Sequence, residues 1–167
     1  MMQKGIADLL LLGDPRLYAH CEAVRQEELP QLKSWVADLH QVMEDIRATY
    51  QFGRGIAAPQ LGIMKRLIYI NVDQPLVIIN PEILSLSEQS FRLWDDCMSF
   101  PNLLVEVERH QQVHFRYRDE EWMEKELIWE NDLSELFQHE FDHLNGILCT
   151  MRAIGPQSFR WKPTPKQ

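Results

Sequence analysis

His139 and His143 stand four residues apart with Glu140 between them. On a helix this spacing puts both imidazoles on one face, where they can share a metal ion, and the glutamate can reach a metal-bound water. The chemistry such a group performs is hydrolysis: the ion lowers the pKa of the water and the carboxylate takes its proton. The helix that carries them has an apolar set of Leu133, Leu136, Phe137 and Leu144. At about 100° per residue, Glu140 falls inside that stripe, with His143 flanking it and His139 at its edge. A chance match on a surface helix would leave the carboxylate on the opposite, solvated face. A carboxylate aimed at the core must be paired, neutral or near a metal, because burying it alone is costly.

A catalytic site of this kind usually has three protein ligands and one open position. No Asp, Glu or His follows His143, so Cys149 is the downstream candidate. With Gly146 it even imitates a longer metallopeptidase signature, with Cys where the last His would stand. Cys97, within Trp94–Pro101, is the mid-chain candidate, and Cys21 lies near the amino terminus. Spacing does not choose between Cys97 and Cys149. A second informative segment, Gly53 to Gln60, matches the loose dinucleotide pattern G-x-G-x-x-A. It follows a helix where that fingerprint needs a strand, and Pro59 interrupts the place of the phosphate-binding helix, so a tight loop is the better reading. Small residues there let backbone approach a ligand, and Gln60 would be an uncharged donor beside a metal.

The elements that position these groups can be read from periodicity. Leu29, Leu32, Val36, Leu39, Met43, Ile46 and Tyr50 alternate steps of three and four, which is one face of a helix beginning near Glu28, with Pro30 in its first turn. A coiled-coil seam would need the pattern to run beyond its roughly three heptads. Leu67–Val72, Leu76–Asn80, Leu103–Val107, Val113–Tyr117 and Glu126–Trp129 read as strands, several of them half-buried and antiparallel, with a hairpin loop at 118–121. Leu9–Leu12 suggests a short buried strand before the turn at Gly13-Asp14-Pro15. The metal helix runs from Asn131 or Asp132 to about Gly146. Helix, strands, helix predicts an α+β fold in one domain over 1–154, with a loosely ordered tail over 155–167.

The chain has 167 residues, 45% hydrophobic and 25% charged, with a formal charge of −8. This is globular composition, long enough to bury a core without disulfides. The acid excess argues against nucleic-acid binding. The apolar run at 6–12 is too short to cross a bilayer and lacks a signal-type cleavage site, so the expectation is a cytoplasmic protein away from membranes. Three cysteines in a reducing compartment read as packing or ligand residues.

Taken in order, three segments resemble the peptide deformylase family. The family's Gly-x-Gly-x-Ala-Ala-x-Gln loop is matched by Gly53–Gln60, its Glu-Gly-Cys-Leu-Ser segment by Asp95–Ser99, and its His-Glu-x-x-His-Leu helix by His139–Leu144. Gly13–Leu17 and Ile79-Asn80-Pro81 also look like family segments. The resemblance implies Cys97, His139 and His143 as ligands of one divalent ion, natively Fe(II), with Zn or Ni as substitutes. It implies antiparallel sheets around the metal helix, with an amino-terminal helix beside them. It implies removal of the N-formyl group from N-formylmethionyl nascent polypeptides, met near the ribosome. Glu140 would be the general acid and base, the Gln60 side chain and the Met98 backbone N–H would hold the oxyanion, and the Gly55 backbone would lie near the formyl group.

Four residues depart from the pattern. Asp95-Asp96 replaces Glu-Gly; Asp95 is expected to pair with Arg109, and Asp96 to take up a left-handed turn while adding charge where substrate docks. Arg54 replaces an apolar residue between the glycines, near the pocket for the methionine side chain. Glu135 stands where the family has an apolar pocket residue. Asp132-Leu133-Ser134-Glu135 fits a capping box, which is the local reading of Glu135. Pairing of Glu135 with Arg54 across the pocket is the alternative, and would suit formyl-methionine poorly. Arg54 and Asp96 thus open two further readings: a deformylase-like hydrolase for another formylated substrate, or a metal-binding relative with little or no catalysis.

Overall fold

A computed structural model describes residues 2–163. The first long element is helix α1, Leu29–Tyr50, with Pro30 in its first turn and a left-handed Gln51 closing its end onto the Arg47 carbonyl. Strands β1 (Gly55–Ala57), β2 (Leu67–Asn71) and β3 (Pro75–Leu86) follow. Then come β4 (Ser90–Asp95), β5 (Leu103–His110), β6 (Gln112–Arg118) and β7 (Glu124–Glu130), helix α2 (Asn131–Leu144) and β8 (Phe159–Trp161). All named strand pairs are antiparallel. They form a five-stranded sheet, β1-β2-β3-β6-β7, and a three-stranded sheet, β4-β5-β8. The α+β expectation, antiparallel sheets around a carboxy-terminal helix with a second helix at the amino-terminal side, holds.

Two helices sandwich the β1–β2–β3 end of the larger sheet, and the two-residue period of a strand divides the work. Leu67, Tyr69, Val77 and Ile79 point toward Leu32, Leu39, Met43 and Ile46 of α1. Their neighbours Ile68, Ile70 and Ile78 point the other way, toward Leu136, Phe137 and Leu144 of α2. This is why β2 reads as an unbroken apolar run: both its faces are covered. Phe115 of β6 stacks on Phe137 with ring centroids 3.8 Å apart, fixing α2 against the sheet. A third cluster, including Leu17, Cys97, Val105, Val107, Leu148 and Cys149, packs beneath the smaller sheet. Each fully buried aliphatic side chain contributes about 1.5–3 kcal/mol of transfer free energy.

Three expectations are corrected. Leu9–Leu12 is not a strand: a 3-10 turn at Ile6–Asp8 precedes it, and Leu11 and Leu12 are 59% and 42% exposed. Instead of joining a ladder, it donates single bonds from Leu10 N–H to the Gln60 carbonyl (2.8 Å) and from Leu12 N–H to the Ser99 carbonyl (2.9 Å), clamping two loops that converge on the metal helix. β4 was not expected, because Ser90-Phe91-Arg92-Leu93-Trp94-Asp95 mixes charge and bulk as an edge strand does. The tail from Gly155 is regular in part: Phe159–Trp161 pairs with Leu103–Val105, since β5 would otherwise leave that edge open. Residues 164–167 of that tail lie outside the described residues. Among the described residues, no helix is long and apolar enough to cross a membrane.

Candidate metal centre

α2 lies in the angle between the two sheets, so it is covered nearly all round. Ser134 through Glu140 and Asp142 through Leu144 are buried. Buried polar groups need partners, and most of these have them. Ser134 and Gln138 bond the His110 backbone at 2.8–3.0 Å. Asp142 is gripped by Arg109 (2.6 Å) and by both arms of Arg152 (2.6 and 2.8 Å). His139 Nδ1 faces Asp95 Oδ2 at 2.8 Å, and Arg109 lies 3.5 Å from the same carboxylate, as expected for Asp95. This fixes the His139 ring with Nε2 turned away from Asp95, the orientation that a carboxylate behind a ligand histidine imposes.

On the other side of the rings the geometry converges. His139 Nε2 and His143 Nε2 are 3.2 Å apart, and Cys97 Sγ is 3.4 Å from His143 Nε2. The sulfur and one nitrogen of each imidazole lie within 4.8 Å of one another, and all three residues are buried. Metal–nitrogen bonds of 2.0–2.1 Å and a metal–sulfur bond of 2.3 Å at tetrahedral angles imply separations of about 3.3 and 3.6 Å. The spacing found therefore fits one ion, and one thiolate with two imidazoles suits iron, zinc or nickel. Cys149 forms a set with Asp95 and His139 instead, without His143. Burial pushes its thiol far up, and it raises that of Cys97 as well, so protonation does not choose between them. Spacing leaves the two cysteines level; packing of the β4–β5 connection over α2 brings Cys97, and not Cys149, to both imidazoles.

Glu140 lies beside this grip. Its Oε2 is buried and finds no partner among the described residues. Burial, opposed by the His139 charge, pushes its carboxyl up to about 7. Gly55 makes the approach possible: a Cβ there would meet Leu136 Cδ1 at 3.1 Å and Glu140 Cγ and Oε1 at 3.2 Å. Burial lowers both imidazoles, but the Asp95 carboxylate outweighs it for His139, which is raised well above the usual value, while His143 is held well below.

Gln60 is buried in the 3-10 turn Ala58–Leu61 that follows β1. Its Oε1 accepts from Ala57 N–H at 3.0 Å, and its Nε2 donates to Ser99 Oγ at 3.1 Å and approaches Cys97 Sγ at 3.6 Å. The amide is thus locked with its N–H groups toward the sulfur. Ser99, which sequence reasoning passed over, does the locking; only its adjacency to Cys97 hinted at a role.

A cleft of about 450 Å³ opens from this centre, lined among others by Gly55, Cys97, Met98, His139 and Glu140. The departing residues line it too. Glu135 does not cap α2: the residue before the helix is Glu130, no side-chain cap bond forms, and Glu135 bonds Arg54 instead. A buried carboxylate needs a cation more than an exposed helix end needs a cap. Burial raises the Glu135 carboxyl, and Arg54 offsets this only in part. Asp96 is not in the left-handed region, so the turn does not require it. Its carboxylate pairs with Lys162 at 2.7 Å, a partner that the tail reading could not supply.

The model of the polypeptide deformylase family matches residues 6–158. A peptide deformylase of Thermotoga neapolitana is 39% identical over 146 residues, covering 85% of this chain and 84% of its own. Among solved structures, a peptide deformylase of Synechococcus elongatus in complex with actinonin superimposes with a TM-score of 0.84 at 32% identity, over 95% of this chain and 86% of that one. A Met-Ala-Ser-bound peptide deformylase of Acinetobacter baumannii gives 0.80 at 29% identity, over 86% of this chain and 96% of that one.

Proposed function

The chain belongs to the polypeptide deformylase family, and on that premise we propose that it hydrolyses the N-formyl group from the amino end of a formylated peptide. The observation that carries this reading is the buried, unpartnered Oε2 of Glu140 beside three converging ligand atoms. A protein that only stored or sensed a metal would need no such base, and burying one costs stability.

Cys97, His139 and His143 would hold one divalent ion, expected to be Fe(II), with Zn or Ni able to replace it; bound there, it would act as a Lewis acid on water and on the formyl carbonyl, with no redox step. The rest falls to this chain's side chains. Glu140, with its carboxyl near 7, takes a proton from the attacking water and returns it to the departing amine. Gln60, its amide fixed by Ala57 and Ser99, donates to the oxygen that gains negative charge, and the Met98 backbone N–H is its proposed second donor. Removing one such donor costs about 2.7–4 kcal/mol of transition-state stabilisation. The Gly55 backbone borders the same space and positions the formyl group. Asp95 holds the His139 ring with its Nε2 toward His143.

The test is formate release by anaerobic, iron-loaded protein from a panel of N-formyl peptides. Turnover lost on Glu140→Gln with metal retained supports the assignment; full turnover in that variant overturns it. The source of N-formylmethionyl ends is a newly made polypeptide at the ribosome, and that is the substrate the family motifs favour. The ion pair between Arg54 and Glu135 favours another formylated substrate.

A further inference from the structure

From the side chains that line the cleft beyond Glu140, we infer that this site selects formylated substrates whose first side chain donates hydrogen bonds, an amide or an ammonium, over the thioether of methionine. This rests on the deformylase reading above and specifies its substrate class. The reach is set by covalent geometry. A formyl carbon held at Glu140 is followed by nitrogen, Cα and the side chain, whose tip lies about 6–7 Å away at 1.5 Å or less per bond. Glu135 lies five residues earlier on the same helix, about 7.5 Å along its axis. Arg54 adjoins Gly55, where the missing Cβ admits Glu140. Arg54, Glu135 and Glu140 line one cleft, so a first side chain that runs along it toward the amino end of α2 reaches the Arg54–Glu135 pair.

The chemistry there is polar. Glu135 is only 4% exposed, and among the described residues its one hydrogen bond is from Arg54 to Oε1. Glu135 lines the cleft, and its Oε2 takes no hydrogen bond among the described residues. Arg54, its side chain 43% exposed, spends one further donor on the Asp132 carbonyl at 3.4 Å. Across the cleft, Lys162 neutralises Asp96 and covers the Phe52 ring at 3.4 Å. Asp132 and Glu135 then outnumber Arg54. A methionine side chain laid on this wall strips water from a carboxylate and a guanidinium and returns no hydrogen bond, whereas an N–H donor satisfies Oε2.

The experiment compares formyl-Met-Ala-Ser, formyl-Gln-Ala-Ser and formyl-Lys-Ala-Ser on the iron-loaded protein. A kcat/KM at least about tenfold higher for the Gln or the Lys peptide, carried mainly by KM, is expected. A Gln advantage identifies the amide and a Lys advantage the ammonium. The double variant Arg54→Leu/Glu135→Leu is expected to reverse the order in favour of Met. Should it fail to fold, Arg54→Gln/Glu135→Gln keeps the shape and is expected to erase any Lys advantage. Preference of the wild type for Met, or ratios unmoved by the variants, overturns the inference while leaving deformylation intact. Calorimetry with Met-Ala-Ser, Gln-Ala-Ser and Lys-Ala-Ser reads the same pocket without turnover. Tighter binding of Met-Ala-Ser also overturns it. Tighter binding of the polar peptides, with no formate released from any substrate, upholds the pocket and removes the deformylase reading.

Discussion

The two helices cover opposite faces of one sheet and are built on opposite principles. α1 presents Leu32, Leu39, Val42, Met43 and Ile46 to the sheet, an apolar stripe whose burial is the main hold, with Asp38 its one buried charged residue. α2 buries Ser134, Glu135, Gln138, His139, Glu140, Asp142 and His143 together with its apolar residues. Nothing but specific partners makes that tolerable: Arg54, Asp95 and Arg109 come from far along the chain, and Arg152 from just beyond the helix. α1 is a packing device, whereas α2 is a set of charges held in place by other charges. Among the described residues, the fully buried polar side-chain atoms of α2 left without partners are Glu140 Oε2 and His143 Nδ1, both in the helix segment that carries the proposed metal ligands. Stability has been conceded where chemistry is proposed to occur.

The largest effect separates the two helices by function. Glu140→Gln is expected to lower kcat/KM for formate release by about 10²–10⁴-fold, the usual worth of a positioned acid–base group, with metal content unchanged. Metal analysis and single-turnover assays check it. A loss of metal along with activity would mean that Glu140 holds the site rather than acting in it. The next effect is structural. Arg109→Leu leaves the Asp95 and Asp142 carboxylates short of a buried cation, and is expected to cost about 3–5 kcal/mol in denaturant unfolding. In α1, Ile46→Val removes one fully buried methylene and is expected to cost about 0.5–1.5 kcal/mol with kinetics unchanged. Equal costs for these two substitutions would erase the distinction between the helices.

The same distinction decides what could be read from the sequence. α1 and the apolar strands β2, β5 and β6 were legible because periodicity is local and burial follows it. The His-Glu-x-x-His helix was legible for the same reason: four residues make one turn, and the whole motif lies on one element. What was lost depended on distant pairings. Glu135 sits three residues after Asp132 and looks like a cap; its pairing with Arg54, 81 residues away, entered only as the alternative, raised by the departure of both residues from the family's apolar pattern. Local rules weigh the cap and have no weight for the ion pair. Cys97 and Cys149 are both buried cysteines near α2, and residue types alone left them level. β8 is three residues with no period of its own, specified by the open edge of β5. Motif resemblance located the centre; it did not foresee Ser99, whose hydroxyl orients Gln60.

The smallest effect tests whether charge supports α1 at all. Just before that helix, the Glu28 carboxylate accepts from Arg25 N–H at 2.8 Å and lies 2.9 Å from Lys65 Nζ. The backbone bond from Arg25, and then Lys65, hold its carboxyl below the usual glutamate range. A carboxyl lowered in the folded state stabilises the fold at pH values above its unfolded pKa, and that contribution fades as pH falls through the folded one. Glu28→Gln should therefore lower Tm slightly at pH 7 and by less at pH 3, below the ordinary glutamate value of 4.5. Thermal unfolding at the two pH values decides. A gap that persisted undiminished at pH 3 would assign Glu28 a role in shape rather than charge. A gap at pH 7 as large as that of Arg109→Leu would mean that α1, like α2, depends on its ionic partners.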